Sequence, residues 1–172
     1  LKGELLALLG RHAASNEAYS DALKGLRSRR PRCAVLVNMA RNSSFLDKPR
    51  LARPVLKQAE EIALALGDPK LLSASYRVRG ALEHSLGNVG TCILYNERAY
   101  EMALQSESSE SISEALRGLG LAYYARGWTT TAQEKFQECI AYSTKMGLER
   151  TAIQIMHMTA WHEFLSLRLE DA

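Results

Sequence analysis

Two arginines, Arg77 and Arg117, stand 40 residues apart in this chain. A guanidinium offers five N–H donors in a planar fork that matches the oxygens of a carboxylate or phosphate. Two of them on one surface are therefore anion-recognition chemistry. Tyr124 and Trp161 would give such an anion an apolar neighbour. Other reactive side chains form no set. His12, His84, His157 and His162 are scattered, and the last two are five apart, so they do not share a helix face as metal ligands four apart would. Cys33, Cys92 and Cys139 lack metal-type spacing. The P-loop, zinc-protease and dinucleotide fingerprints are missing from the sequence, and no nucleophile–His–acid set falls within one stretch. Gly118-Leu119-Gly120 lies inside a helical pattern and reads as close packing. The expectation is recognition without catalysis, cofactor or metal.

The elements that must carry these side chains repeat with the same period. Gly80 and Gly87 recur as Gly120 and Gly127. Ala59, Ala99 and Cys139 align, as do Ala52, Cys92 and Ala132, and Ala65–Asp68 recurs loosely as Lys145–Leu148. A fixed period of this size marks stacked supersecondary units, none able to bury its apolar face alone. Abundant Ala and Leu with few β-branched runs favour helix. Periodicity and breakers predict helices over Leu1–Leu9, Ser15–Leu26, Cys33–Phe45, Arg50–Leu66, Lys70–Leu86, Val89–Leu104, Ile112–Ala125, Thr129–Met146 and Thr151–Leu169. They read as one domain over 1–172, with units at about 1–30, 31–69, 70–108 and 109–148 and a terminal helix over 149–172. The first residue is Leu1 rather than Met, which reads as a piece of a longer protein. Unit one is offset, since Ala22 to Ala59 is 37 residues, as a connector three residues shorter would give.

On these residues the chain resembles the tetratricopeptide repeat family. Gly80/Gly87 and Gly120/Gly127 match the family's first-helix and inter-helix glycines. Cys92/Ala132 and Ala99/Cys139 match its small second-helix positions, and Tyr123 and Phe136 its aromatics. Small residues are needed where two helices cross closely. Asn96 stands in place of an aromatic, Glu83 in place of a tyrosine, and the period exceeds the usual 34. Long helices ending in Ala-Leu-Gly-Asp look like the variant in maltose-regulator-like bacterial signalling proteins. The resemblance implies an all-α, right-handed superhelical stack of antiparallel helix pairs whose first helices line an inner groove. It implies structural packing roles for Gly80, Gly87, Cys92, Ala99, Gly120, Gly127, Ala132 and Cys139.

Superposed first helices then give three columns: Val37, Arg77, Arg117 and His157; Arg41, Ala81, Leu121 and Trp161; Ser44, His84, Tyr124 and Phe164. Arg77 and Arg117 should share one concavity, about 10 Å apart as helix packing implies. The groove candidates are Asn38, Arg41, Arg77, His84, Arg117, Tyr124, His157 and Trp161. The alternative is that Arg77 and Arg117 pair with Glu83, Glu110 or Glu114 and only solvate the inner face. Trp128, after a turn glycine, is expected to pack between repeats.

Charge is uneven: residues 1–86 carry 15 Lys and Arg against 8 Asp and Glu, and residues 87–172 carry 7 against 11. Arg27, Arg29, Arg30 and Arg32 cluster without interleaved aromatics, so they are expected to cap a helix C-terminus and solvate a connector rather than bind nucleic acid. No stretch approaches the roughly 20 apolar residues of a membrane span. An odd number of cysteines, with Cys92 and Cys139 on packing positions, implies free thiols in a reducing cytoplasm. The function expected is a protein- or peptide-binding module of a larger bacterial regulatory or signalling protein, its partner acidic, with self-association open. The alternatives are an effector-sensing domain that binds a small anion and controls a transcription-factor or cyclase output, and an oligomerisation spacer.

Overall fold

A computed structural model describes residues 2–46, 49–156 and 159–160, and every regular element among them is a helix. They are α1 (Lys2–Leu8), α2 (His12–Gly25), α3 (Arg29–Phe45), α4 (Pro49–Leu66), α5 (Pro69–Ser85), α6 (Val89–Gln105), α7 (Ser109–Arg126) and α8 (Thr129–Lys145), followed by α9 over 149–156. Consecutive helices pack in pairs, and α5 also touches α3 and α7 on either side. The all-α stack expected from the period is the observed architecture. Helix starts differ by a few residues where caps decide: α7 begins at Ser109, three residues before the apolar run, because the Ser108 hydroxyl accepts from the Ser111 N–H. The later part of the predicted Thr151–Leu169 helix lies outside the described residues.

Each pair is pinned by one small residue facing one large one. A Cβ placed on Gly3, Gly80 or Gly120 would fall within 3.0 Å of Tyr19, Asn96 and Phe136, respectively. The spacing is 16 residues each time, and pair two carries Ala40 and Leu56 at the same places, both in the core. Gly3 thus supplies the first-unit match hidden by the offset, and Gly3 to Ala40 is the same 37 residues. Gly80, Cys92, Ala99, Gly120, Ala132 and Cys139 are buried as expected. Gly87 and Gly127 are not at crossings: they are exposed and serve the turn inside each pair.

A second column is a buried clasp between pair members. Cys33 Sγ donates to the Ala59 carbonyl at 3.2 Å, and Ser73 Oγ to the Ala99 carbonyl at 2.8 Å. In the third instance the direction reverses. Cys139 Sγ donates to the Ser113 carbonyl at 3.0 Å, and the Ser113 hydroxyl bonds to that of Ser143. All three thiols are free and buried. Burial, with Asp68 nearby, pushes the Cys33 thiol up to about 11, and burial raises Cys92 and Cys139 as well.

The connector between pairs also recurs. Gly67, Glu107 and Gly147 stand 40 apart and take φ of 56°, 52° and 70°. Glu107 is the only non-glycine with positive φ among the described residues. Left-handed backbone costs a side-chain-bearing residue roughly 1–2 kcal/mol, whereas glycine loses about 0.5–1 kcal/mol more entropy on ordering. Glu107→Gly is therefore expected to stabilise the chain by about 0.5 kcal/mol, read as a higher urea midpoint at unchanged slope. A lower midpoint would show that the Glu side chain contributes more than its backbone strain costs.

The arginine cluster divides. Arg32 Nη1 donates to the Leu23 carbonyl in the last turn of α2, which is the capping role expected. Arg30 Nε instead holds Asp68, the N-cap of α5, at 2.7 Å. Trp128 departs from expectation: it is half exposed and stacks on Tyr123 with ring centroids 5.9 Å apart, covering its own pair rather than filling a joint between repeats.

Candidate functional site

First helices α3, α5 and α7 lie side by side and leave a groove of about 580 Å³ on one face. Its walls follow the sequence columns. Arg41, Ala81 and Leu121 form one row, Ser44, His84 and Tyr124 a second, and Arg77 and Arg117 a third. Val78 and Ala122 add apolar floor, and Phe45 closes one side. A volume in this range is what small ligands and peptide side chains occupy.

Val37, by period the partner of Arg77 and Arg117, does not line the groove; it is in the core. The physical reason is reach. The arginine side chains are only 21% and 29% exposed, so their stems start from the same covered position and extend outward. Valine at that position stops in the core. Asn38 is half-buried and does not line the groove either; its Oδ1 accepts from Arg41 Nη2 at 2.7 Å and so orients a residue that does. His157 and Trp161 lie outside the described residues.

The electrostatic centre is Glu114 on α7. Arg77 Nη1 donates to its Oε2 at 2.9 Å and Arg117 Nη2 to the same oxygen at 2.6 Å. The two guanidinium groups thus converge on one atom, closer than the helix spacing alone implies. Of the acids named as alternative partners, Glu114 is the one they use. Glu83 is buried instead at the α5–α6 turn, accepting from Asn88 Nδ2 at 2.8 Å and paired with Arg53 at 3.4 Å. Burial pushes the Arg77 guanidinium below its usual value, Glu114 opposes this, and the charges of Arg117 and Arg41 add to it. Burial pushes the Glu114 carboxyl up, but Arg77, Arg117 and Arg41 together hold it below its ordinary value.

A depressed carboxyl contributes stability that is present above its unfolded pKa and is lost as pH falls through its folded one. Denaturation midpoints measured from pH 5 down to pH 3 are thus expected to fall more steeply for the unaltered chain than for Glu114→Gln. Parallel curves would mean that Glu114 carries no net favourable pairing.

Two residues that line the groove, Asn96 and Gly118, were not among the expected groove residues, though Gly118 was expected to pack closely and does. Asn96 occupies the slot that holds Tyr19 and Phe136 in other pairs, is 4% exposed, and donates from Nδ2 to the Cys92 carbonyl at 2.9 Å. Gly118 lies opposite, and any Cβ there would meet Asn96 Oδ1. A helix-interior glycine facing a misplaced polar residue was the available signal. Arg117 Nε is buried without a hydrogen-bond partner among the described residues. No His, Cys, Asp or Glu group suited to a metal exists among them. Nor is any helix there long and apolar enough to cross a membrane.

Neither a protein-family model nor a curated protein matches the chain. Among solved structures it is similar to the crystal structure of nearly identical TPR-like repeats from Podosopora anserina, assigned as a kinesin light chain. The TM-score is 0.67 at 20% identity, covering 98% of this chain and 85% of that one. At that identity the likeness carries the fold alone: a TPR-like stack of paired helices.

Proposed function

We propose that the chain is a non-enzymatic protein- or peptide-binding module whose α3–α5–α7 groove takes an acidic segment with an apolar neighbour. The observation that carries this is the lining itself: among the described residues Arg41, Arg77 and Arg117 with no Asp or Glu, beside Val78, Leu121 and Ala122. His84 and Tyr124 flank the same opening. Glu114 offsets one of the three positive charges, so the groove keeps a cationic surplus. The partner is read as protein rather than nucleic acid because the arginines converge on a pocket with an apolar wall instead of tracking a strand. In this reading the module belongs to a larger bacterial regulatory protein of the long-repeat, maltose-regulator-like kind and works in a reducing cytoplasm, in keeping with three free buried thiols.

The test is calorimetric titration of acidic–apolar peptides, selected from a degenerate library on the immobilised chain, at low and high salt. Affinity is expected to fall in salt and for the same peptides with Asp and Glu amidated to Asn and Gln. Retention of amidated peptides at equal affinity would exclude an electrostatic groove. The second reading, an anionic effector in the same groove, predicts that a small carboxylate binds as tightly as the peptide that contains it. Self-association, the spacer reading, would appear as concentration-dependent mass in sedimentation.

A further inference from the structure

We propose that the arginine end of the groove is built for a phosphomonoester on a side chain of the bound peptide, rather than for a carboxylate. The inference rests on the groove being a peptide site, and the observations concern charge, donors and shape. Three guanidinium groups reach the groove from three successive first helices, and Glu114 cancels one charge. The charge of Arg41 acts on both Arg77 and Glu114, so the three form one electrostatic unit. A surplus of two positive charges matches the roughly −1.5 to −2 of a phosphomonoester at pH 7 better than the single charge of a carboxylate.

Donor supply points the same way. Glu114 engages one nitrogen each of Arg77 and Arg117, and Asn38 takes one from Arg41. Among the described residues the other donors of these forks have no side-chain acceptor, and Arg117 Nε is buried without any partner. A carboxylate presents two oxygens in a plane, whereas a phosphomonoester presents three terminal oxygens in a tetrahedron. Donors that arrive from three helices meet the second shape more completely. The apolar floor of Val78, Leu121 and Ala122 then covers the stem or ring that carries the phosphate.

Oriented peptide libraries decide the matter, with degenerate flanks around a fixed phosphoserine, phosphothreonine or phosphotyrosine and matched libraries fixed at Glu. Sequences retained on the immobilised chain are titrated singly, with inorganic phosphate as a separate arm. The expected result is binding of a phosphopeptide at least about tenfold tighter than its Glu counterpart, the effect of one further charge-assisted hydrogen bond. The preference should collapse in Arg41→Gln, which leaves both Glu114 pairs in place, with helicity unchanged by circular dichroism. Equal binding of Glu and phosphorylated peptides would overturn the inference while leaving the acidic-peptide reading intact. Retention of neither library would remove the groove reading itself. Inorganic phosphate binding as tightly as the phosphopeptide would also overturn the proposal, since the site would then be one for the free anion.

Discussion

Replacing Arg77 and Arg117 together by alanine is expected to weaken binding of an acidic peptide by about 2–4 kcal/mol. Each lost hydrogen bond to a charged group accounts for roughly 1.5–3 kcal/mol, and neighbouring sites fall short of additive. The effect should shrink in high salt, where a Debye length of about 8–10 Å or less screens groove charges. One confounder is visible in the geometry. Both arginines hold Glu114, which is only 29% exposed, so the double variant leaves a half-covered carboxylate facing an acidic ligand. The triple variant that adds Glu114→Gln removes that repulsion. Affinity that stays low in the triple variant assigns the loss to the arginines as ligands. Affinity that recovers fully would assign it to the orphaned carboxylate and return Arg77 and Arg117 to solvating the inner face.

Gly120→Leu should destabilise the chain by about 1–3 kcal/mol, the usual cost of forcing methylenes into a packed site. At roughly 2–4 °C per kcal/mol for a chain of this length, the melting midpoint drops by several degrees. Leucine is the better helix former by nearly 1 kcal/mol, so a net loss requires the clash to win. It wins because the opposing Phe136 ring is 4% exposed and sits in a cluster with Leu116, Ala132, Cys139 and Ile155, leaving it nowhere to withdraw. The chain holds its own control in Ala40 and Leu56, the same two positions two helix pairs earlier. Gly120→Ala with Phe136→Leu recreates that combination, and the double variant should cost less than the sum of the singles by about 0.5–3 kcal/mol. Simple additivity would mean that Gly120 and Phe136 do not constrain each other.

Much of the architecture was legible because small residues are forced wherever two helices cross closely. The offset first unit was harder, since its register glycine, Gly3, sits two residues from the start. Glu107 concealed the connector, because left-handed backbone can be borne by a non-glycine at modest cost. Eight of the groove-column residues could be read from period alone, because register fixes which way a Cα faces. What register does not fix is side-chain length. It placed Val37 beside Arg77, though only the longer chain escapes the core. It also left open which acid two arginines would share, since Glu114 is 37 residues from one and three from the other.

The three buried thiols have a consequence for observing the stack in motion. Cys33, Cys92 and Cys139 fall one to each of the second, third and fourth helix pairs. With thiolate formation suppressed by burial, none should react with an alkylating reagent until its own pair parts. Pulsed labelling followed by peptide mass measurement would therefore clock each joint separately, with no probe introduced. In an array whose units touch only their neighbours, the three rates give the order in which the stack comes apart, and whether it frays inward from an end or parts in the middle.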